Sequence, residues 1–354
     1  MGFNFQNWRK LVFTSLSILI GLTVIYSGLW FVIGLQMKNS ISNWATEQSV
    51  QGSKATHQDI EMSGFPWQWQ FKIKRPILSR ASGNIQFLWA GPYIRLYVRP
   101  WDIKNIKFHI GGQHKVAYTK TNESTSIKLD MEAGQGGLKF NKNGKLTHLS
   151  FSMVDAVAKV TSAQPYRIKR LNGRLSLNQT YTPTEKPHQV STAYLQAELS
   201  GLTLPNRFKS DLGRTINHVA LSAKVLGTTR GNALKQTFSS WASSGGSLDL
   251  KNFEIHWGKV FAKANGTFAL DSGLQPIAAL SGTITGYNHA LKAMIDAGLV
   301  KPNLGMVARF ALRGMSDVFG TQKEDQIRLS LSIQDGYLYV GPIRLIKLPK
   351  LIWN

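Results

Sequence analysis

Histidines and carboxylates are the side chains of this sequence that could support acid–base catalysis or metal binding. His109 and His114 are close in sequence, but no carboxylate stands near them at metal-ligand spacing, and the HExxH pattern of zinc hydrolases is absent. Asp59 and Glu61 would share one face of a strand and form the least unreasonable acid–base pair. We interpret all four as residues on solvated strand faces, so the sequence indicates neither a metal site nor a catalytic residue.

Two glycine-rich stretches resemble cofactor or nucleophile motifs only superficially. Gly134-Gln-Gly136-Gly137 lacks the last glycine of a dinucleotide fingerprint and has no parallel βαβ unit around it, so it predicts a hairpin turn. Gly227-Thr-Thr-Arg-Gly231 carries threonine where a nucleophile elbow carries serine, and predicts a loop. We therefore expect no cofactor and no enzymatic activity, with an enzyme of unremarkable residues as an open alternative.

Composition narrows the class of protein further. The chain has 354 residues and no cysteine, which excludes disulfides, thiolate metal ligands and cysteine nucleophiles. Its formal net charge is +23, spread along the chain, which favours anionic partners such as lipid head groups. A lineage with a lysine-rich proteome would produce the same charge. No nucleic-acid-binding module is present, so we expect no nucleic-acid partner.

An uncharged segment near the N-terminus predicts a membrane anchor. Leu11–Leu35 contains 25 residues, and as a helix it would measure about 38 Å, more than the ~30 Å hydrocarbon core of a bilayer. Arg9 and Lys10 precede it, which predicts a cytoplasmic N-terminus, residues 1–10. A cleaved signal peptide would have a shorter apolar region and a better cleavage site. We expect a retained transmembrane helix over residues 11–35, with the remaining chain on the outer side of the membrane.

The hydrophobic period predicts the structure on the far side of the membrane. Met37, Ile41 and Trp44 continue at helical spacing, which predicts an amphipathic stalk over residues 36–52 that Gly52 ends. After residue 55 the period is two, which predicts a β-rich region over residues 53–230. A C-terminal α+β region over residues 231–354 continues the sheet and contains three predicted short helices, near Leu234–Trp241, Leu291–Leu299 and Leu304–Leu312.

The expected fold class is therefore α+β and β-rich. A transmembrane helix would precede an elongated, mostly antiparallel sheet that forms a groove, a sandwich or a half-open barrel. Arg75-Pro76 is expected to end the first long strand, residues 65–74, and Gly91-Pro92 to make a turn. Asp335-Gly336 stands between two alternating runs, which is a strong hairpin signal.

The first strand has the most informative side chains. Its alternate positions are large and aromatic, and further aromatic residues follow within a short distance, where we expect few helices to cover them. A closed core is the simplest interpretation, and a surface for a hydrophobic ligand is the alternative. The candidate ligand-binding residues are Phe65, Trp67, Trp69, Phe71, Trp89, Tyr93 and Tyr97. Candidate contacts for an anionic head group are Lys72, Lys74, Arg75, Arg95 and Arg99.

Several short motifs, in this order, resemble a bacterial family known as domain of unknown function 2125. They are Ser63-Gly-Phe-Pro-Trp67, Trp89-Ala-Gly-Pro92 with Arg99-Pro100, Trp241-Ala-Ser-Ser-Gly-Gly246, Trp257-Gly258 followed by Gly266-Thr-Phe-Ala-Leu-Asp271, and Asp335-Gly-Tyr-Leu-Tyr-Val-Gly-Pro342 with Leu348-Pro349. The resemblance spans nearly the whole chain but implies no activity and no catalytic residue. More loosely, the arrangement is similar to AsmA-like envelope lipid-transfer proteins, which is a likeness of fold only.

These observations support two functional hypotheses. The first is an anchored periplasmic protein that binds or passes a lipid-like ligand in envelope biogenesis without a chemical step. The second is a structural or scaffold protein of envelope assembly with a closed core and a protein partner. They differ in whether the aromatic strand lines an open apolar surface or lies under another layer.

Overall fold

In the described residues, the chain forms one long helix followed by antiparallel strands, with short helices between some of them. The computed structural model describes residues 5–48, 53–82, 85–120, 123–161, 164–178, 190–206, 210–228, 234–298, 326–351 and 353. The expected β-rich class with mostly antiparallel pairing is confirmed. The chain divides into two compact units, Met1–Ser126 and Ile127–Asn354. The expected boundary at residues 230/231 falls inside the second unit.

Helix α1 (Phe5–Gln48) belongs to the first unit and is long and apolar enough to cross a membrane. Residues 11–26 are exposed on all sides, whereas from Trp30 onward one face is buried. The residues of that face recur at helical spacing: Trp30, Gly34, Met37, Ile41 and Ala45. Trp44, which we assigned to the apolar face of the stalk, is exposed. The expected end at Gly52 lies outside the described residues.

Strands pair next to α1 to form the sheet of the first unit. They are β1 (Ser53–Thr56), β2 (Asp59–Ser63), β3 (Trp69–Lys74), β4 (Ile77–Ser82), β5 (Ile85–Ala90), β6 (Tyr93–Arg99) and β7 (Asp102–Lys120). β3 lies between β2 and β6, and β6 pairs with the first half of β7. Beside the second half of β7, the corresponding order is β1–β4–β5–β7, in which each strand pairs with its neighbour.

Two expected strand boundaries are bends within longer strands. β3 and β4 pair with β6 and β5 in one continuous register. Main-chain hydrogen bonds from Arg75 N to Pro92 O (3.0 Å) and from Gly91 N to Pro76 O (3.1 Å) carry the ladder across the interruption. Arg75-Pro76 therefore does not end its strand, and Gly91-Pro92 does not reverse the chain. Each proline removes a single donor and fixes one φ angle, which bends a strand without ending the ladder.

The opening strand is shorter than predicted. It begins at Trp69, because the residues before it form a turn in which Gln68 N donates to Gly64 O (3.1 Å). Gly64 has a φ of 100°, which favours glycine, and the Phe65-Pro66 peptide bond is cis. Alternation along residues 65–74 therefore combines a turn and a strand, and the two parts have different surroundings.

The second unit is an open antiparallel meander in which each strand pairs with the next along the chain. Its strands are β8 (Glu123–Phe140, whose first residues belong to the first unit), β9 (Leu146–Val160), β10 (Tyr166–Leu177), β11 (Ser191–Thr203), β12 (Thr215–Leu226), β13 (Ser247–Trp257), β14 (Val260–Leu270), β15 (Pro276–Thr285), β16 (Gln326–Gln334), β17 (Tyr337–Val340) and β18 (Ile343–Lys347). Asp335 and Gly336 both have positive φ angles between β16 and β17, so the expected hairpin is confirmed.

Two short helices interrupt this meander in the described residues. α2 (Leu234–Ser243) precedes β13 and α3 (Tyr287–Asp296) precedes β16, close to where the sequence predicts them. The third predicted helix, Leu304–Leu312, lies outside the described residues. After α2, Gly246 N donates to Trp241 O (2.8 Å) and Gly245 N to Ala242 O (3.0 Å), which is a Schellman-type helix end.

Candidate functional site

Two aromatic residues of the predicted ligand surface lie beneath α1. Trp69 and Phe71 on β3 are 1% and 0% exposed, in a core that also contains Trp30 of the helix. The indole Nε1 of Trp69 donates a hydrogen bond to the main-chain oxygen of Trp30 (2.9 Å). Helix α1 is therefore the layer that covers the aromatic face of β3, and a ligand would reach it only by displacing the helix.

Phe65 and Trp67 occupy the turn before β3 and remain exposed. The Phe65 ring packs against Trp30 and Phe31, with ring centroids 5.4 and 5.9 Å away. Trp67 is 72% exposed. These two residues share the alternation of β3 in sequence but not its burial.

The remaining aromatic candidates lie elsewhere on the first sheet. Tyr93 and Tyr97 alternate with the β6 residues that pack toward α1, so they lie on the opposite face. Trp89 on β5 stacks on the buried ring of His114, with centroids 5.7 Å apart. The seven aromatic candidates therefore do not form one continuous surface.

The basic candidates are partly engaged with other side chains. Lys72 and Lys74 both pair with Glu61 across the β2–β3 ladder, and the hydrogen bond to Glu61 raises the pKa of Lys74 above its ordinary value. The Arg95 guanidinium lies over the Tyr93 ring, 4.9 Å from its centroid. The other two, Arg75 and Arg99, are exposed.

The residues considered for chemistry are not brought together. His109 is exposed beside Tyr97, with ring centroids 5.0 Å apart. His114 is buried, so its assignment to a solvated strand face is wrong. Asp59 accepts a hydrogen bond from Ile60 N (2.7 Å). In the part of the chain that the structure describes, no group of three or more His, Asp or Glu side chains could hold a metal ion.

The two glycine-rich stretches also differ from cofactor sites. Gly134-Gln-Gly136-Gly137 lies within β8, paired with β9, and is not the hairpin turn that we predicted. The run of glycines keeps extended φ angles because a neighbouring strand supplies its hydrogen bonds. Gly227 donates its N–H to Val190 O (2.9 Å), and the rest of its motif, residues 229–231, lies outside the described residues.

The second unit contains an apolar cavity that sequence reasoning missed. It has a volume of about 350 Å³, near the lower end of small-molecule sites, and its exposed wall is apolar. Side chains from one face of strands β12 to β16 form it. They include Leu221, Leu250, Phe253, Ala264, Phe268, Leu280, Ile284, Leu329 and Leu331.

A bulge in β13 explains why the sequence hides this cavity. Leu250 pairs with Gly266 on β14, but the next pair is Phe253 with Ala264, so β13 has one extra residue. The bulge puts the even-numbered Leu248 and Leu250 on the same face as the odd-numbered Phe253. A strict period of two assigns them to opposite faces. The alternation from Phe253 to Trp257 is visible in the sequence. It does not show that Leu250 lies on the same face as Phe253.

The cavity is part of a longer apolar row across the second sheet. Consecutive pairs align Leu138, Leu149, Leu175, Leu195, Ala223, Leu250, Gly266, Leu280, Leu331 and Val340 on one face of β8 to β17. Most of these side chains are only half-buried. Half-buried leucines in register give the sheet a continuous apolar face, the kind of surface that monomeric proteins seldom leave uncovered.

These features define a β-rich protein with an N-terminal helix suited to a membrane and an apolar sheet face, and comparison with known proteins adds the family. The chain belongs to the family described as uncharacterized proteins conserved in bacteria (DUF2125), whose sequence profile matches residues 30–349. No curated protein and no solved structure matches the chain.

Proposed function

We propose that this protein is anchored by α1 in a bacterial inner membrane and binds a lipid-like ligand in the cavity of its second unit, in the service of envelope biogenesis. The observation that carries the proposal is the apolar cavity over β12 to β16. Its volume of about 350 Å³ accommodates part of an acyl chain. Each methylene transferred from water contributes about 0.8 kcal/mol, so an acyl segment binds without polar anchors.

The apolar row supports passage of a ligand along the sheet. Leucines at matching register positions on successive strands offer similar contacts, so an acyl chain moving along the row meets no polar barrier on that face. The residues that would have to supply catalysis are dispersed, and no chemical step is part of the proposal. Arg9 and Lys10 before the span favour a cytoplasmic N-terminus and a periplasmic body.

Photo-crosslinking in vesicles tests the cavity. The full chain is reconstituted with a phospholipid that carries a photoreactive group in its acyl chain, and the crosslinked peptides are mapped by mass spectrometry. We expect crosslinks on β13 to β15 as well as on α1. Lipid of the surrounding bilayer labels peptides of the first unit, to which α1 belongs, so crosslinks confined to that unit would contradict the proposal.

A matched pair of variants makes the experiment specific. Ala264 lines the cavity, whereas its neighbour Asn265 is exposed on the other face of β14. Ala264→Phe fills the cavity and is expected to reduce crosslinks on β13 to β15 several-fold. Asn265→Phe adds the same ring outside the cavity and is expected to leave them unchanged.

A scaffold role is the second candidate, and the burial of Trp69 and Phe71 under α1 favours it. That contact closes the first apolar surface, as a structural role in envelope assembly requires. In that case a protein partner would cover the apolar row of the second unit. The same crosslinking experiment separates the two candidates, since a scaffold yields no crosslinks on β13 to β15.

A further inference from the structure

The first unit exposes large apolar side chains at one end of its sheet. Phe65 and Trp67 lie in the turn between β2 and β3, and Trp101 and Ile103 lie where β6 turns into β7. We call these four residues the aromatic tip. Trp67 and Trp101 are 72% and 64% exposed, which is unusual for tryptophan in a folded domain.

Strand register places both turns at the same end of the sheet. Trp69, the first residue of β3, pairs with Val98 near the end of β6. Arg99, the last residue of β6, pairs with Asp102, the first residue of β7. The turn that precedes β3 and the turn that follows β6 are therefore neighbours.

Contacts with α1 fix the height of the tip along the helix. The Tyr26 hydroxyl donates a hydrogen bond to Pro66 O (2.6 Å). The Phe65 ring stacks on Phe31 at a centroid distance of 5.9 Å. The tip therefore lies beside the segment from Tyr26 to Phe31, within the uncharged stretch Leu11–Leu35.

The length of the helix indicates how deep in the bilayer that segment lies. Arg9 and Lys10 set the near boundary of the hydrocarbon core, so the core begins close to Leu11. A core of ~30 Å takes about 20 helical residues and ends near Trp30. Tyr26 lies about 22 Å from Leu11, so Pro66 beside it is several ångströms inside the far boundary.

We propose that the aromatic tip inserts into the bilayer leaflet on the side of the protein body, and that it holds the first unit against the membrane surface. The occupant of this surface is lipid, because the tip adjoins Tyr26 and Phe31, which are themselves exposed among the apolar side chains of α1. Tryptophan suits the boundary between acyl chains and head groups. Arg99 and Lys104, both exposed beside Trp101, are placed to meet lipid phosphates.

This docking rests on α1 crossing the bilayer and is independent of any ligand in the second unit. A single-span protein that is only tethered has a body that moves freely above the membrane. Here the first unit contacts α1 from Tyr26 onward, and the tip adds a direct attachment to the membrane.

Fluorescence quenching of single-cysteine variants tests the docking, because the natural chain has no cysteine. The full chain carries Trp67→Cys or Trp101→Cys, labelled with an environment-sensitive dye and reconstituted in vesicles of phosphatidylethanolamine and phosphatidylglycerol. Gln86→Cys, exposed at the other end of the sheet, serves as the aqueous control. Leu22→Cys on the exposed part of α1 serves as the lipid control.

We expect lipid-borne bromine to quench the labels at positions 67 and 101 several-fold more than the label at position 86, and aqueous iodide to show the reverse order. Iodide quenching at both tip positions equal to that at position 86 would overturn the proposal. Labels shielded from both quenchers would mean that protein covers the tip, which also overturns it. A Leu22→Cys label exposed to iodide would overturn it as well, because α1 would then lie outside the bilayer. Absence of crosslinks in the cavity of the second unit leaves the docking proposal intact.

Discussion

The indole of Trp69 reaches the main-chain oxygen of Trp30 across a glycine. Trp30 O is the acceptor that the N–H of Gly34 uses in a regular helix, and Trp69 Nε1 adds a second hydrogen bond to it at 2.9 Å. A Cβ atom on Gly34 would lie 2.8 Å from that nitrogen and 2.6 Å from Met62 Sδ. Gly34 therefore permits the close approach of α1 and β3.

Gly34→Ala is expected to destabilise the first unit although alanine favours helices. The helix gains about 1 kcal/mol of propensity, whereas overpacking a close contact costs about 1–3 kcal/mol. A Cβ atom on Gly28 would meet nothing within 4 Å, so Gly28→Ala is the matched control and should be neutral or stabilising. Guanidinium unfolding of the full chain in mild detergent measures the unfolding free energy of both variants. Equal effects of the two substitutions would contradict the close approach.

Two tryptophans two positions apart should respond differently to truncation. Trp69→Ala removes a buried side chain and a hydrogen bond, and is expected to cost about 3–5 kcal/mol of unfolding free energy. Trp67→Ala removes an exposed side chain and should change that free energy by about 0.5 kcal/mol or less in detergent. Thermal unfolding of both variants measures the difference, and similar losses would show that both side chains are buried.

Gly246→Ala is expected to loosen the end of α2. A Cβ at this position would lie 2.5 Å from Trp241 Cδ1, and the Trp241 indole is held by its hydrogen bond to Leu226 O (2.7 Å). This hydrogen bond opposes movement of the ring, so we expect a loss of about 1–3 kcal/mol. Gly173→Ala is the control, because a Cβ there meets nothing within 4 Å. Denaturant unfolding of the two variants compares them, and a neutral Gly246→Ala would refute the packing argument.

An exposed ion pair should make stability depend on pH. Lys292 pairs with Asp211 and with Asp296. The hydrogen bond from Lys292 lowers the pKa of Asp211 from 3.8, and the bonds to both carboxylates raise the pKa of Lys292 from 10.5. The Asp211 contribution is present above its unfolded pKa and is lost as pH falls through the lower folded value. The Lys292 contribution is present below its unfolded pKa and is lost as pH rises through the higher folded value.

Asp211→Asn should therefore lower the thermal midpoint at neutral pH and lose its effect as the pH falls below 3.8. The effect is expected to be small, because exposed charges are screened by solvent. Added salt should reduce the difference in thermal midpoint between Asp211→Asn and the natural protein at neutral pH. A difference that persists unchanged in acid would show that the aspartate acts through packing.

The family motifs, so far as the structure describes them, have structural roles. Ser63–Trp67 forms the turn before β3, and Trp241–Gly246 ends α2. Gly258 allows close approach to Leu212, whose main-chain oxygen would clash with an added Cβ. These Gly-, Pro- and Trp-containing motifs therefore lie at tight turns and close contacts.

Local patterns in the sequence predicted the helix, the period-two strands, α2 and the Asp335-Gly336 hairpin, because each depends on residues within a few positions. The same reasoning misjudged Arg75-Pro76, Gly91-Pro92 and Gly134–Gly137. A proline or glycine shows that the backbone departs from ordinary strand geometry, but a neighbouring strand decides whether the chain turns, bends or continues.

Sequence alone determined that β3 has an aromatic face and that an uncharged helix precedes it. Only the tertiary structure decided that this helix covers Trp69 and Phe71 while Trp67 stays exposed, since the contact joins residues 39 positions apart. The apolar cavity likewise depends on a bulge in β13 and on register across successive strands. Alternation assigns a side chain to a face of a sheet, but distant parts of the chain decide what covers that face.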